Sequence, residues 1–261
     1  MGQRVTAPGL IEMKARGERI VCVTAYDFFG AKHADHAGVD VLLVGDSLGN
    51  VIQGGNTTLG VSLDDMIYHT RWVARAASRG LVVADLPFGS YQASIEDAVR
   101  SSIALVKAGA AAVKLEGAYV DHARAIVAAG IPCMGHVGMT PQSYHAFGGH
   151  RVQGKGDAGS RVLNEAQRLE QAGVFALVLE LVPRELAATI TQSLTIPTIG
   201  IGAGAACDGQ IQVFHDLLGI SDKNFRHVKR YAEIGTTMIQ GLSEYVREVR
   251  VGEFPTEENS F

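Results

Sequence analysis

Cysteine is scarce in this 261-residue chain: there are three, Cys22, Cys133 and Cys207. An odd number, far apart and in no ligand spacing, argues against a disulfide framework and against a thiolate zinc site. They read as reduced thiols of a cytoplasmic protein. Charge is sparse as well, at 19% of residues with a formal net charge of −4. That leaves no cationic footprint for nucleic acid. Long apolar runs are missing: no segment approaches the roughly 20 residues that cross a bilayer, so no membrane partner is expected. The first twenty residues contain no signal-peptide core. The opening MGQRVT fits the M-G-x-x-x-[ST] acylation pattern, but a pattern that short is read as a chance match. No linker-like Pro/Gly/Ser tract, charge run or low-complexity segment divides the chain. A single domain is therefore expected over 1–261, with a helical C-terminal segment at about 224–250.

What the chain has is apolar and small: 47% hydrophobic residues and 31 glycines, enough to bury a substantial core. Apolar runs suggest strands near 20–26, 39–45, 81–86, 111–116, 131–136, 175–181, 196–201 and 211–218. Their continuous rather than alternating character suits strands buried on both faces of a parallel sheet. Helical patterns lie between most of them. SLDDMIYHTRWVARAASRG opens with Ser62 three residues before Asp65, puts Leu63, Met66, Ile67 and Val73 on one face, and stops at Gly80. SIEDAVRSSIALVKAG repeats the device with Ser94, Asp97 and Gly109, and PRELAATITQSL starts at Pro183. Strand then helix, about eight times in some 250 residues, predicts a (β/α)₈ TIM-type barrel with eight parallel strands. A doubly wound open sheet, the competitor, usually has fewer strands at this length. Two irregularities stand out: GAGAACDGQ, too short for a full helix between the seventh and eighth strands, and the long glycine- and histidine-bearing stretch 140–159.

In such a barrel the C-terminal strand ends ring one mouth, where chemistry lives. Tyr26 and Asp27 follow the first strand, and Asp46 and Ser47 the second. Asp85 ends the third, Lys114 and Glu116 close the fourth, and His136 and Glu180 end the fifth and sixth. Lys114 and Glu116, two apart, leave a strand on the same face. Three carboxylates crowded in a poorly solvated pocket need compensation. One lysine and a hard divalent cation, Mg²⁺ before Zn²⁺, would supply it. Each residue alone has a plainer reading. A strand-end Asp is commonly a helix cap, Lys114 a solvated lysine, and His136 a hydrogen-bonded core residue. Glu180, inside the apolar LVLELVP, needs a partner or a function. The run GIGAGA at 200–205 matches G-x-G-x-x-[GA], but it sits late and precedes no proper helix. It is read as a glycine-lined pocket or tight packing, not as a dinucleotide fingerprint.

Seven segments, VGDSLG (44–49), ADLPF (84–88), VKLEG (113–117), GHVGMTPQS (135–143) with FGGHRVQGKG (147–156), VLELVP (178–183) and GIGAG (200–204), occur in order at suitable spacing. With VTAYD (23–27) and the closing FPTEENSF, they make the chain resemble the ketopantoate hydroxymethyltransferase family over nearly its whole length. The resemblance implies a (β/α)₈ barrel and a reaction that joins 3-methyl-2-oxobutanoate to a one-carbon unit from 5,10-methylenetetrahydrofolate. It implies that Asp46, Asp85 and Glu116 hold Mg²⁺, directly or through water. Asp46, Ser47, Asp85 and Lys114 would contact the 2-oxo acid, His136 would line the pocket and Glu180 would be the proton acceptor. It also implies a homo-oligomer, commonly a decamer, with 224–250 as a plausible contact surface. The 140–159 loop is a hypothetical lid. Two rivals remain: a Mg²⁺-dependent 2-oxo acid lyase or mutase of the phosphoenolpyruvate mutase and isocitrate lyase type, and a catalytically silent barrel.

Overall fold

Eight strands close on one another in sequence order: β1 (Ile20–Thr24), β2 (Val41–Val44), β3 (Leu81–Asp85), β4 (Ala112–Lys114), β5 (Cys133–Gly138), β6 (Ala176–Glu180), β7 (Thr198–Ile201) and β8 (Gly209–Gln212). All neighbours are parallel, and β1 pairs with both β2 and β8. This is the (β/α)₈ barrel that the alternation of apolar runs and helical patterns predicts. The computed structural model describes residues 4–261, which divide into a barrel unit ending at Val213 and a second unit, Phe214–Phe261.

In the barrel unit, α1 (Ala7–Ala15) comes before the first strand. The connections then carry α2 (Phe28–His36), a single turn α3 (Leu48–Val51), α4 (Leu63–Ala76), α5 (Ile95–Lys107), α6 (Val120–Ala128), the turn α7 (Tyr144–Phe147), α8 (Ala158–Gln171) and α9 (Arg184–Ser193). The caps form as their sequences suggest. Ser62 and Asp65 make a reciprocal capping box, Ser94 accepts from Asp97 N–H, and Pro183 stands just ahead of the first turn of α9. Met66 and Val73 are buried, while Leu63 and Ile67 are only half-buried. Between β7 and β8 no helix forms. Gly200 packs there so tightly that a Cβ would lie 2.9 Å from Cys207 Sγ, which bears out the close-packing reading of GIGAG.

Period-two alternation sorts the strand residues. Ile20 and Cys22, Val41 and Leu43, Leu81 and Val83, Ala112, Met134, Ala176 and Val178, Ile199 and Ile211 share one buried cluster inside the barrel. Ala7 and Leu10 of α1 belong to the same cluster, so α1 packs as a floor beneath the strand starts. Lys14 fastens it. Its Nζ donates to Thr191 O and Ile196 O, each at 2.9 Å, and pairs with Asp208 at 3.0 Å.

The apolar run expected as a strand over 211–218 is one only as far as Gln212. Phe214–Leu217 is a helical turn, α10, that opens the second unit. Strand pairing begins earlier instead, at Gly209, where a Cβ would collide with Ile20 O. That backbone approach has no apolar signature. The C-terminal helix α11 runs Ile234–Val251, ten residues later than the 224 expected. Backbone groups ahead of it are engaged within their own unit: Tyr231 N–H donates to Leu217 O, and Arg230 Nη2 to Ser221 O and Lys223 O. Among the described residues no helix is long and apolar enough to cross a membrane.

Candidate active site

The inward positions that are apolar at the strand starts turn polar at the C-terminal ends. Two residues beyond Val83 lies Asp85, beyond Ala112 come Lys114 and Glu116, beyond Met134 lies His136, and beyond Val178 lies Glu180. The same parity that fills the core aims these five side chains into one mouth. On β2 the corresponding place after Leu43 is Gly45. A Cβ there would lie 2.8 Å from Ser47 Oγ, 3.5 Å from Thr24 Cγ2 and 3.6 Å from Asp85 Oδ2, so glycine leaves room for the turn that delivers Asp46 and Ser47.

The residues form a continuous chain of contacts. Asp46 N–H donates to Asp85 Oδ2 at 3.1 Å. Lys114 Nζ lies 2.8 Å from Asp85 Oδ1 and 3.7 Å from Glu116 Oε1. His136 stands between two carboxylates, with Nδ1 3.5 Å from Glu116 Oε1 and Nε2 3.4 Å from Glu180 Oε2. At these distances neither ring nitrogen makes a well-aligned hydrogen bond among the described residues. Ser47 Oγ is 2.9 Å from the hydroxyl of buried Tyr26. Thus Asp46, Ser47, Asp85, Lys114, Glu116, His136 and Glu180 all lie at one mouth. Asp27 does not join them; it caps α2 through Gly30 N–H, the plainer role available to a strand-end Asp.

Charge in this mouth is unbalanced, with four carboxyls facing one ammonium. Burial, reinforced by Glu116 and Asp85, raises the Asp46 carboxyl well above its usual range. Burial also raises Asp85, against the pull of Lys114. Burial alone would lower Lys114, but Asp85, Glu116 and Asp46 outweigh it and keep the ammonium charged. Burial opposes ionisation of Glu116 too, yet Lys114 and the adjacent imidazole hold that carboxyl below its usual value. Glu180 is pushed up to about 8, by burial first and by Glu116 second. Its side chain is 16% exposed, against 3% for Glu116, Asp85 and His136. It is therefore the carboxyl of the group that faces the opening. The backbone around it is specialised. Among the described residues Leu181 is the non-glycine residue with positive φ, at 45°, held by its N–H on Ile201 O and by Gln153 N–H on its own carbonyl. Gly138 (φ 95°) passes so close that a Cβ would collide with Glu180 O. Backbone strain of this kind is common at functional sites.

Among the described residues no three His, Cys, Asp or Glu side chains form a ready cage for a metal ion. Asp46 and Glu116 each have one oxygen held by an N–H donor, while Asp85 has Oδ2 on Asp46 N–H and Oδ1 on the Lys114 ammonium. An all-oxygen set of this kind, with excess negative charge, fits a hard cation that takes one or two carboxylates and completes its shell with water or substrate, as Mg²⁺ does.

Two site residues carry no signal as ionisable candidates. Gln142, the second residue of a 3₁₀ turn (Pro141–Ser143), reaches both Asp46 and Glu116. Tyr91, from the β3–α5 connection, bonds Gln142 and the Glu116 backbone. Their one trace in the sequence is position: Gln142 falls in GHVGMTPQS, directly after a strand that ends in the mouth.

Comparison with known proteins places the chain. The family model described as ketopantoate hydroxymethyltransferase matches residues 4–257. The chain is 55% identical to the 3-methyl-2-oxobutanoate hydroxymethyltransferase of Moorella thermoacetica, over 99% of this chain and 98% of that one. It is 51% identical to the protein of the same name from Aeropyrum pernix, over 99% and 95%. Solved structures share the fold at low identity. Phosphonopyruvate hydrolase in complex with oxalate and Mg²⁺ gives a TM-score of 0.63 at 14% identity, covering 98% of this chain and 93% of that one. A 2,3-dimethylmalate lyase, described as a PEP mutase/isocitrate lyase superfamily member, gives 0.62 at 16%, covering 98% and 91%. With the family model spanning nearly every residue and relatives half identical from end to end, this chain belongs to the ketopantoate hydroxymethyltransferase family.

Proposed function

We propose that the enzyme transfers a hydroxymethyl group from 5,10-methylenetetrahydrofolate to 3-methyl-2-oxobutanoate, giving 2-dehydropantoate for pantothenate and coenzyme A synthesis. The observation that carries this reading is Glu180. It is a carboxyl raised to about 8 on the open side of a buried carboxylate and lysine cluster, in a chain whose relatives bear the hydroxymethyltransferase name.

The reacting carbon of 3-methyl-2-oxobutanoate adjoins a ketone, so loss of its proton gives an enolate. Asp46, Asp85 and Glu116 would hold Mg²⁺, directly or through water, and the ion when bound supplies Lewis-acid stabilisation of charge developing on the keto oxygen. Lys114, kept charged by its carboxylate neighbours, neutralises substrate oxygens from below. Ser47, oriented by Tyr26, offers a hydroxyl to the substrate carboxylate. Glu180 accepts the carbon-bound proton at a carboxylate oxygen; a base matched to working pH is worth about 10²–10⁴-fold. His136, beside Glu180, is a second polar group lining the pocket. Water adds to the folate's methylene carbon and both of its C–N bonds break, releasing tetrahydrofolate and the one-carbon unit at the formaldehyde level. The enolate carbon bonds to that carbon, whose oxygen takes up the proton held by Glu180 to give the hydroxymethyl group. The 140–159 segment, fastened to the site by Gln142 and to Leu181 by Gln153, covers it and excludes water. The enzyme acts as a homo-oligomer, a decamer by family resemblance, in the cytoplasm.

The test follows the Cβ proton of 3-methyl-2-oxobutanoate by NMR in D₂O. The wild type exchanges it with Mg²⁺ and not with EDTA, and Glu180→Gln slows exchange at least about 100-fold. Absence of exchange in the wild type, with Mg²⁺ and folate both present, rejects the reading. A lyase or mutase reading rests on fold alone, and strict folate dependence of product formation separates the two.

A further inference from the structure

We propose that Gln142 is a positioning residue, clamping one oxygen of Asp46 and one of Glu116 so that their other oxygens are presented to the reacting groups. The inference rests on the function proposed above.

The clamp begins with Pro141. A proline opens the 3₁₀ turn Pro141–Ser143, and the next amide N–H, at Gln142, has no partner within so short a turn. It donates instead to Glu116 Oε2 at 2.9 Å. The Gln142 side chain turns toward β2 and β3. Its Nε2 donates to Asp46 Oδ2 and to Leu86 O, each at 2.9 Å. Its Oε1 accepts from Gln92 Nε2 at 2.9 Å and lies 2.8 Å from the Tyr91 hydroxyl. An amide has two N–H donors and two acceptor lone pairs, and all four are engaged. A flipped amide would set its oxygen against a carboxylate and a carbonyl, so only one orientation is possible.

Tyr91 fixes the other side. Its hydroxyl is also 2.9 Å from Glu116 O and accepts from Glu116 N–H at 3.1 Å. The two residues thus grip Glu116 by its backbone N–H and one carboxylate oxygen, while Glu116 Oε1 is left facing Lys114 and His136. Gln142 also ties the start of the 140–159 loop to two carboxylates expected to hold the cation. Losing those bonds should change how the site takes up metal and substrate, beyond any change in folding.

The experiment uses Gln142→Leu, which keeps the side chain's bulk and removes its hydrogen bonds, with Tyr91→Phe and the double variant. Calorimetric titration with Mg²⁺ alone is paired with the substrate-proton exchange assay. Groups that orient metal ligands typically contribute about 10–100-fold in metal affinity or activity. Gln142→Leu is therefore expected to weaken Mg²⁺ binding at least about tenfold and to slow exchange comparably. Tyr91→Phe acts in the same direction, and the double variant is less than additive. If the wild type binds no Mg²⁺ and exchanges no proton, the proposed function falls and this inference with it. If the wild type does both and folded Gln142→Leu matches it, or loses only melting temperature, the inference alone is overturned. Should Gln142→Leu fail to fold, Tyr91→Phe decides: weakened Mg²⁺ binding supports the clamp and unchanged binding rejects it.

Discussion

Glu180 holds its proton more tightly in the folded chain, with a value of about 8, than a free glutamate does at about 4.3. Between those two values the native state carries a proton that the unfolded state has released. The stability of the metal-free protein must therefore fall as pH rises through that window, by up to about 1.4 kcal/mol per pH unit for one such group. Asp46, also raised, adds to the same trend. Scanning calorimetry in EDTA should find a lower melting temperature at pH 8 than at pH 5.5, and a smaller difference in Glu180→Gln. Mg²⁺ should reverse the slope, because ligand carboxylates bind it deprotonated. These residues could be found in the sequence because a charged group inside an apolar run contradicts its surroundings. Gln142 could not. A neutral amide near a proline contradicts nothing, and its partner Asp46 lies 96 residues away.

Elements with a period and a punctuation mark were readable at the next scale up. Ser62 and Asp65 close α4 with a reciprocal box on the exposed side of the helix, far in character from the buried mouth. Ser62→Ala is expected to lower stability by about 1 kcal/mol and to leave proton exchange unchanged, as denaturant titration beside the exchange assay would show. Elements fixed by backbone fit were harder to read. β8 starts at Gly209 because only a residue without Cβ passes Ile20 O, whereas the apolar run that suggested a strand over 211–218 belongs partly to the turn Phe214–Leu217. α11 starts at Ile234 rather than near 224 because the residues ahead of it are committed to hydrogen bonds with Leu217, Ser221 and Lys223, contacts that no window of sequence contains.

At the scale of the whole molecule, α11 buries none of its residues within its own unit, Phe214–Phe261. Ile239, Leu242, Tyr245 and Val249 are all exposed. Apolar surface of this extent on one helix is characteristic of an association face, in keeping with the expected homo-oligomer. Sedimentation of the wild type should give a mass well above 27.7 kDa. Leu242→Asp with Ile239→Asp should shift it toward smaller species without altering the circular dichroism of the barrel. A wild type that sediments as a monomer would contradict the expectation.

The helix Ala7–Ala15 has a consequence for the order of events. Its Leu10 shares the packed interior with Met134 and Ile199, all at most 2% exposed, and Lys14 bolts it to the strand starts. The barrel is thus a cul-de-sac, and whatever reaches Lys114 arrives and departs by the doorway where Glu180 stands. A folate occupying that doorway would bar the smaller 2-oxo acid behind it. If the proposed reaction seats folate there, turnover is expected to be ordered, with 2-oxo acid first in and its product last out, and initial rates at excess folate should show the next cycle delayed rather than hastened.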